Sequence, residues 1–382
     1  MDWKNYLDIF CKHFLELEKD DTCVKLIKRH DKNLSANGDF SCPKNKQMWQ
    51  QVLKMNNDFL QSKAEKIHEI SELMLNQVQF TKSHFIFKLN RELFTAKFFN
   101  DFSLLNWSLN DKRKCDAIVT NVLGDNEMTN LRLLLSRSCV EKLLQYDYME
   151  HKIKSIVLCG NDRLKDVIKV GPVIDKFTKK QSKDTFLKVY KRFYVTLDSI
   201  SKEREIPNQS ESTRLTNVHT LTSAEIQFQL LNSNIGQQII LDDRKVLSKN
   251  SATFVIYNLS RINSILNSSG YQYEHHLKQQ DKISELLKDE DEWEIVFVYL
   301  SNYLNVIQDT FEFNNDIKVG RICNFLIQLC KTFSRYYNRV HIIKDPDHLK
   351  PLQFARLHLI SMIKLVLENG LTLLGIPSLE FM

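Results

Sequence analysis

Six apolar residues near the C-terminus, Leu357, Ile360, Ile363, Leu367, Leu371 and Leu374, recur at steps of three and four. That spacing puts them on one face of an α-helix, and such a face needs a core to cover it. Asn369-Gly370 reads as the helix stop, because glycine readily takes the left-handed conformation that closes a helix C-terminus. Pro377 cannot continue a helix. Taken alone, this pattern specifies a C-terminal helix docked on a core.

A second helix is expected from about residue 317 to Arg339. At about 100° per residue, Ile322, Phe325, Leu326, Leu329, Phe333 and Tyr336 share one arc, while Arg321, Lys331, Arg335 and Arg339 share a narrower one well away from it. Four cations over about four turns can track a phosphate backbone. Tyr337, near the helix end, offers a ring for stacking on an unpaired base. Tyr336 has an apolar position and is expected in the core.

Three stretches resemble the arginyl-tRNA synthetases. They are residues 254–266, running Phe254-Val-Ile-Tyr-Asn-Leu-Ser-Arg261; Gly320-Arg321 through Tyr336-Tyr337-Asn338-Arg339; and the final helix with its Leu373-Leu374-Gly375-Ile376 ending. With Ala224 to Leu231, Ile240 to Asp243 and Thr253 to Asn258, the region from Ser223 to Met382 is similar to the DALR anticodon-binding-domain-containing proteins. The resemblance implies an α+β chain. It would have a degenerate class I synthetase-like α/β N-terminal part and a C-terminal all-α DALR-type bundle. It also implies a chain that binds arginine tRNA, without aminoacylating it, and delivers it to a methyltransferase making 3-methylcytidine. In the resembling synthetases the C-terminal tail packs near the anticodon loop, which makes Phe381 and Met382 candidate contacts.

Four segments are expected. Residues 1–150 form the degenerate N-terminal region, helical to about residue 75 apart from a loop around Asn37-Gly38 to Pro43. A strand then covers 83–90, a helix 91–100, a buried strand 116–123 and a helix 130–145. Residues 151–204 form a hairpin, with apolar runs at 153–159 and 167–174, followed by a basic helix. Residues 205–222, polar and containing Pro207, read as a linker. Residues 223–382 are the bundle.

The net charge is +6, but residues 151–204 hold 14 Lys and Arg against 6 Asp and Glu. Such a block attracts phosphate backbones with salt-dependent affinity, or else forms a solvated surface. Lys179, Lys180 and Lys183 are its candidate phosphate contacts. From Ala252 to the end there are 13 basic and 15 acidic residues, so nucleic-acid contact there must be local to one face.

A class I synthetase needs a His-x-Gly-His signature after its first strand, where the imidazoles stabilise charge on the reacting phosphate. With Leu131-Arg132 as anchor, the signature falls on Glu127-Met128-Thr129-Asn130, without His or Gly. The Lys-Met-Ser-Lys-Ser loop is also missing, as are the glycine-rich phosphate loops of other enzymes. Catalytic residues, cofactors and metals are therefore not expected. His275-His276 point about 100° apart on a helix and would converge poorly. Eight cysteines are scattered without a close ligand pair, as expected of reduced cytosolic thiols. No uninterrupted apolar run approaches the roughly 20 residues of a membrane span, and no basic-then-apolar leader opens the chain. The expected setting is cytoplasmic. The expected partners are arginine tRNA and the tRNA 3-methylcytidine methyltransferase, with neither membrane nor DNA. The alternative is a protein-interaction subunit of a synthetase or tRNA-modification complex without tRNA reading; a divergent arginyl-tRNA synthetase fits least well.

Overall fold

The computed structural model describes residues 2–15, 25–45, 47–49, 64–104, 118–145, 155–159, 168–203, 210–271, 283–312, 316–343 and 349–379. The principal helices are α1 (Trp3–Phe10), α2 (Arg91–Leu104), α3 (Glu127–Leu143), α4 (Phe186–Glu203), α5 (Glu211–Leu231), α6 (Ala252–Ser269), α7 (Glu290–Glu294), α8 (Tyr303–Gln308), α9 (Gly320–Arg339) and α10 (Lys350–Leu374). The strands are β1 (Lys28–Arg29), β2 (Phe40–Pro43), β3 (Leu75–Phe80), β4 (His84–Leu89), β5 (Ile118–Val122), β6 (Ser155–Cys159), β7 (Ile168–Lys169), β8 (Phe311–Glu312) and β9 (Asp316–Ile317). Two compact units result. One takes residues 1–106, 271–305 and 336–360; the other takes 107–270, 306–335 and 361–382. The four consecutive segments expected from the sequence are thus not the spatial units, because the bundle segment contributes to both.

The first unit is built on an antiparallel sheet in the order β1-β2-β4-β3. Strand β4 alternates as its sequence suggests, burying Phe85, Phe87 and Leu89. Phe40 pairs with Phe87 across the strands, and their rings stack at 4.8 Å. Helix α1 buries Trp3, Tyr6, Leu7 and Phe10 on these aromatics. The expectation of two helical stretches separated by a loop at 37–43 is corrected here, since β1 lies within the first stretch and β2 occupies the expected loop. Every residue of β2 is buried, so its four letters show no alternation to read. Residues 51–63 lie outside the described set.

Asp39 supports the sheet from inside. Its carboxylate accepts from the Leu89 amide at 2.7 Å and from Trp293 Nε1 at 2.8 Å, and burial pushes its pKa up. Arg29 is enclosed between Trp3 and Phe297, 5.3 and 4.7 Å from their ring centres, and donates to the Phe297 carbonyl. Burial lowers its pKa to about 9. Asp289 and Glu292 form a reciprocal capping box at the start of α7.

In the second unit β5, β6 and β7 form a parallel sheet, with α3 in the β5–β6 crossover. The hairpin expected over 153–174 is therefore not formed. Strand β6 runs parallel to β7, with Leu158 opposite Ile168 and Cys159 opposite Lys169. The turn-like Gly160-Asn161-Asp162 lies outside the described residues. Two apolar runs around a Gly-Asn-Asp turn do not reveal strand direction, and the parallel arrangement of β5 and β6 extends to β7.

The linker expectation for 205–222 is also corrected. From Glu211 onward the chain is helix α5, capped by Ser210, whose side chain accepts from the Thr213 amide. Residues 204–209 are outside the described set. Helices α4 and α5 run antiparallel, so that Tyr190 meets His219 and Asp198 meets Arg214 at 2.6 Å. Val218, Leu221 and Thr222 are buried, while Ser212, Thr213 and Thr216 stay exposed. A polar outer face, read without its partner helix, resembles a linker.

The last helix runs through Asn369-Gly370 and stops five residues later. A Cβ added at Gly370 would lie 2.7 Å from Leu326 Cδ2, so this glycine serves close helix packing, not termination. The stop is Gly375 at φ +73°, with the Ile376 amide donating to the Leu371 carbonyl at 2.9 Å. By length and composition α10 could cross a membrane, but 78% of its most apolar window is buried in the protein, as in a core helix.

Candidate nucleic-acid interface

Helix α9 has the two faces its sequence specifies. Ile322, Phe325, Leu326, Leu329, Phe333 and Tyr336 are all buried, as are Cys323 and Cys330, whose thiol pKa values rise with burial. The Tyr336 hydroxyl donates to Glu292 Oε1 at 3.0 Å, which fixes this ring in the core, and burial, with the Glu292 charge beside it, pushes its pKa up. Tyr337 is half-buried and Arg335 exposed.

The cations of the opposite face differ in their surroundings. Arg339 donates to both Asp289 and Asp291, and these hydrogen bonds raise its pKa. It sits in a locally acidic setting and is a weaker phosphate ligand than its place on the stripe suggests. Arg321 donates to the Asp309 carbonyl at 2.7 Å, and Lys331 Nζ to Asn250 Oδ1 at 2.7 Å. Phe381 and Met382 lie outside the described residues, as do His275 and His276.

The basic block yields a better-defined surface. Residues 175–180 form a tight loop closed by the bridge between Ile174 and Gln181. Asp175 Oδ1 accepts from the amides of Phe177 at 2.9 Å and Thr178 at 2.7 Å, and these bonds hold its pKa down. Lys179 takes a left-handed conformation at φ +57°, and its amide donates to the Asp175 carbonyl. This geometry displays Lys179 and Lys180, with Lys183 just beyond. None of the three forms an ion pair among the described residues. Phe177, at the loop tip, is 88% exposed.

Next to this loop, α4 carries Phe186, Tyr190 and Tyr194 one turn apart, with centroid separations of 5.7 and 6.3 Å. His219 of α5 completes the row, 4.7 Å from Tyr194, and pairs with the Tyr190 hydroxyl at 2.7 Å. Sequence reasoning found the lysines and missed the rings. The i, i+4, i+8 spacing of 186, 190 and 194 was a usable signal. The exposure of Phe177 had none.

The positions aligned with the ATP-handling signature have other duties. Glu127 Oε1 accepts from the Phe186 amide at 3.0 Å, and Met128 is fully buried. Thr129 Oγ1 accepts from the Val173 amide, and Asn130 ties both backbone groups of Gly124 at 2.8 Å. Arg132 is 1% exposed. It donates to the carbonyls of Leu230, Gly171, Asn234 and Gln237 and to the Ser233 hydroxyl, without a carboxylate partner among the described residues. Its pKa falls to about 10 through burial. Glu127, Thr129 and Asn130 thus hold neighbouring backbone around the β5–α3 turn, while Met128 is buried.

A parallel β-α-β opening followed along the chain by a C-terminal helical region is the arrangement compared with known proteins. The DALR anticodon binding domain family matches residues 255–382. The chain is 32% identical over 178 residues to DALR anticodon-binding domain-containing protein 3 of Rattus norvegicus, covering 42% of this chain and 32% of that protein. It is 29% identical over 151 residues to an arginine–tRNA ligase of Prochlorococcus marinus, covering 40% of this chain and 23% of the ligase. The chain thus spans about a third or less of these relatives' lengths. The arginyl-tRNA synthetase of Plasmodium falciparum shares the fold, with a TM-score of 0.65 at 11% identity over 99% of this chain and 98% of that one. Residues 255–382 thus carry a DALR anticodon binding domain, and the chain is similar over that part to the DALR anticodon-binding domain-containing proteins.

Proposed function

We propose that this chain is a non-catalytic, cytoplasmic tRNA-binding adaptor that selects arginine tRNA and presents it to a tRNA 3-methylcytidine methyltransferase. One observation carries the reading. A DALR anticodon-binding segment is joined to a nucleotide-fold opening in which Glu127, Met128, Thr129 and Asn130 serve as scaffold. Glu127, in addition, would repel ATP phosphates. In this reading α9 supplies the anticodon-arm surface through Arg321, Lys331, Arg335 and Tyr337, with Phe381 and Met382 adding the tail's share. Lys179, Lys180 and Lys183 bind phosphate.

Purifying the protein with its bound RNA and sequencing that RNA tests the reading directly; enrichment of arginine tRNA is the expected result. Pure protein should give no arginine-dependent ATP–pyrophosphate exchange, and detectable exchange refutes the non-catalytic assignment. Changing Lys179, Lys180 and Lys183 together to Glu should weaken all tRNAs alike. The slope of log affinity against log salt should also become shallower by about 2–3, roughly 0.7–0.9 for each phosphate that is no longer neutralised. Weakening confined to arginine tRNA would contradict the non-specific role of these lysines.

The engagement of Arg339 by two aspartates favours one other reading, in which the bundle face meets a protein and not tRNA. That reading requires tRNA binding to stay at background at every salt concentration.

A further inference from the structure

Phe177 is the most exposed large apolar side chain among the described residues, and it stands on an ordered turn. It also lines an open cleft of about 450 Å³ with Val189 and Leu241. That volume falls within the range of small-molecule sites, roughly 300–1,000 Å³. The cleft walls carry Lys176, Arg192 and Arg244 against Asp175, Asp184, Asp242 and Asp243. Asp242 lies 3.2 Å from both Lys176 and Arg244, and Arg192 lies 3.5 and 3.4 Å from Asp184 and Asp243. The cleft's cations are therefore already matched by carboxylates, and what it offers a ligand is polar groups and an apolar wall. The loop itself holds the ammonium groups of Lys179 and Lys180, with Lys183 following, and no carboxylate among the described residues pairs with them. This separation matches a nucleotide, whose neutral base belongs in the cleft and whose phosphates belong on the rim.

We propose that the Phe177 cleft takes one unpaired nucleotide of an RNA, its base stacked on the Phe177 ring and its flanking phosphates on Lys179, Lys180 and Lys183. The proposal rests on the tRNA-binding reading and adds to it a site for a single-stranded or extruded base, outside the anticodon-binding helices. A protein partner fits less well. The ring's chain neighbours are Lys176, Thr178, Lys179 and Lys180, so the tip offers no continuous apolar patch. Bases are read by stacking when a helix cannot present them, and the turn holds the ring in position before binding.

The test uses the full chain with Phe177→Ala and Phe177→Trp. Both changes sit at an exposed tip and should leave thermal stability unchanged. The probes are a fluorescein-labelled 12-nucleotide single-stranded RNA, the same sequence as a blunt duplex, and an arginine tRNA transcript. Phe177→Ala should weaken the single strand and the tRNA about tenfold to a hundredfold while leaving the duplex unchanged. The tryptophan variant should bind like the parent and lose indole fluorescence on adding the single strand. Parent-like affinity of Phe177→Ala for the single strand and tRNA, or unquenched tryptophan at saturation, overturns the proposal while leaving tRNA binding by the chain intact. If the parent binds none of the three RNAs, the tRNA-binding reading falls with it. Tryptophan quenching by an added protein partner but by no RNA would place a protein in the cleft and also overturns the proposal.

Discussion

Replacing Arg132 by Met is expected to cost about 4 kcal/mol of folding stability, because two buried carbonyls, two partly buried carbonyls and a hydroxyl are deprived of their donor together. Methionine fills a similar length but brings no hydrogen. Each buried acceptor left unsatisfied costs about 1–3 kcal/mol, and relaxation of the site recovers part of the sum. The guanidinium joins the residues after α5 to Gly171, and that approach is itself tight. A Cβ added at Gly171 would lie 2.2 Å from the Gln237 carbonyl oxygen, where backbone meets backbone. Arg132→Lys should recover only part of the stability, since an ammonium cannot reproduce the planar fork that reaches five acceptors. Urea denaturation followed by circular dichroism measures the effect. A shift for Arg132→Met smaller than about 0.5 kcal/mol would mean that water satisfies these carbonyls and the clamp is not structural.

Glu292→Ala is the second large effect, expected at about 3–5 kcal/mol in the first unit. Glu292 is 1% exposed and accepts from the Tyr336 hydroxyl at 3.0 Å and from Arg356 Nε at 2.8 Å, while its other oxygen accepts from the Asp289 amide at 3.0 Å. Truncation strands a mostly buried guanidinium and a fully buried phenol, and it removes half of the capping box of α7. Glu292→Gln keeps the shape and an acceptor while removing the charge, so it should fall between parent and Ala. The same denaturation experiment, with Arg356→Met and the double variant, gives the coupling. If the two effects simply add, the pair is not the unit described here. Because Glu292 is buried and is not itself a candidate tRNA contact, a stable Glu292→Gln protein should retain parent affinity for tRNA.

Much of the helical part was readable from one dimension. The apolar arc of α9 is buried residue for residue, and α10 has the face its spacing specifies, because a period of about 3.6 is a local property of the chain. The DALR anticodon binding domain of residues 255–382 was also readable, since the stretches that carry it are contiguous. Strand β2 was not readable, because four residues buried on both sides show no period. Helix α5 was missed because its exposed face is rich in Ser and Thr and its apolar partners come from α4.

The site divides in the same way. Residue type and spacing determined which side chains are cationic and which helix stripe carries them. Tertiary structure decided which of those charges are already engaged. Arg339 faces two aspartates from a segment some fifty positions away in sequence, whereas Lys179 and Lys180 project from a turn closed by Asp175. It also decided the use of two glycines. Gly370, placed where a helix stop was expected, is a packing point for Leu326, and Gly375 at φ +73° is the stop. Local propensity permits either glycine to end a helix. The choice was made by whichever backbone had a side chain packed where a Cβ would be.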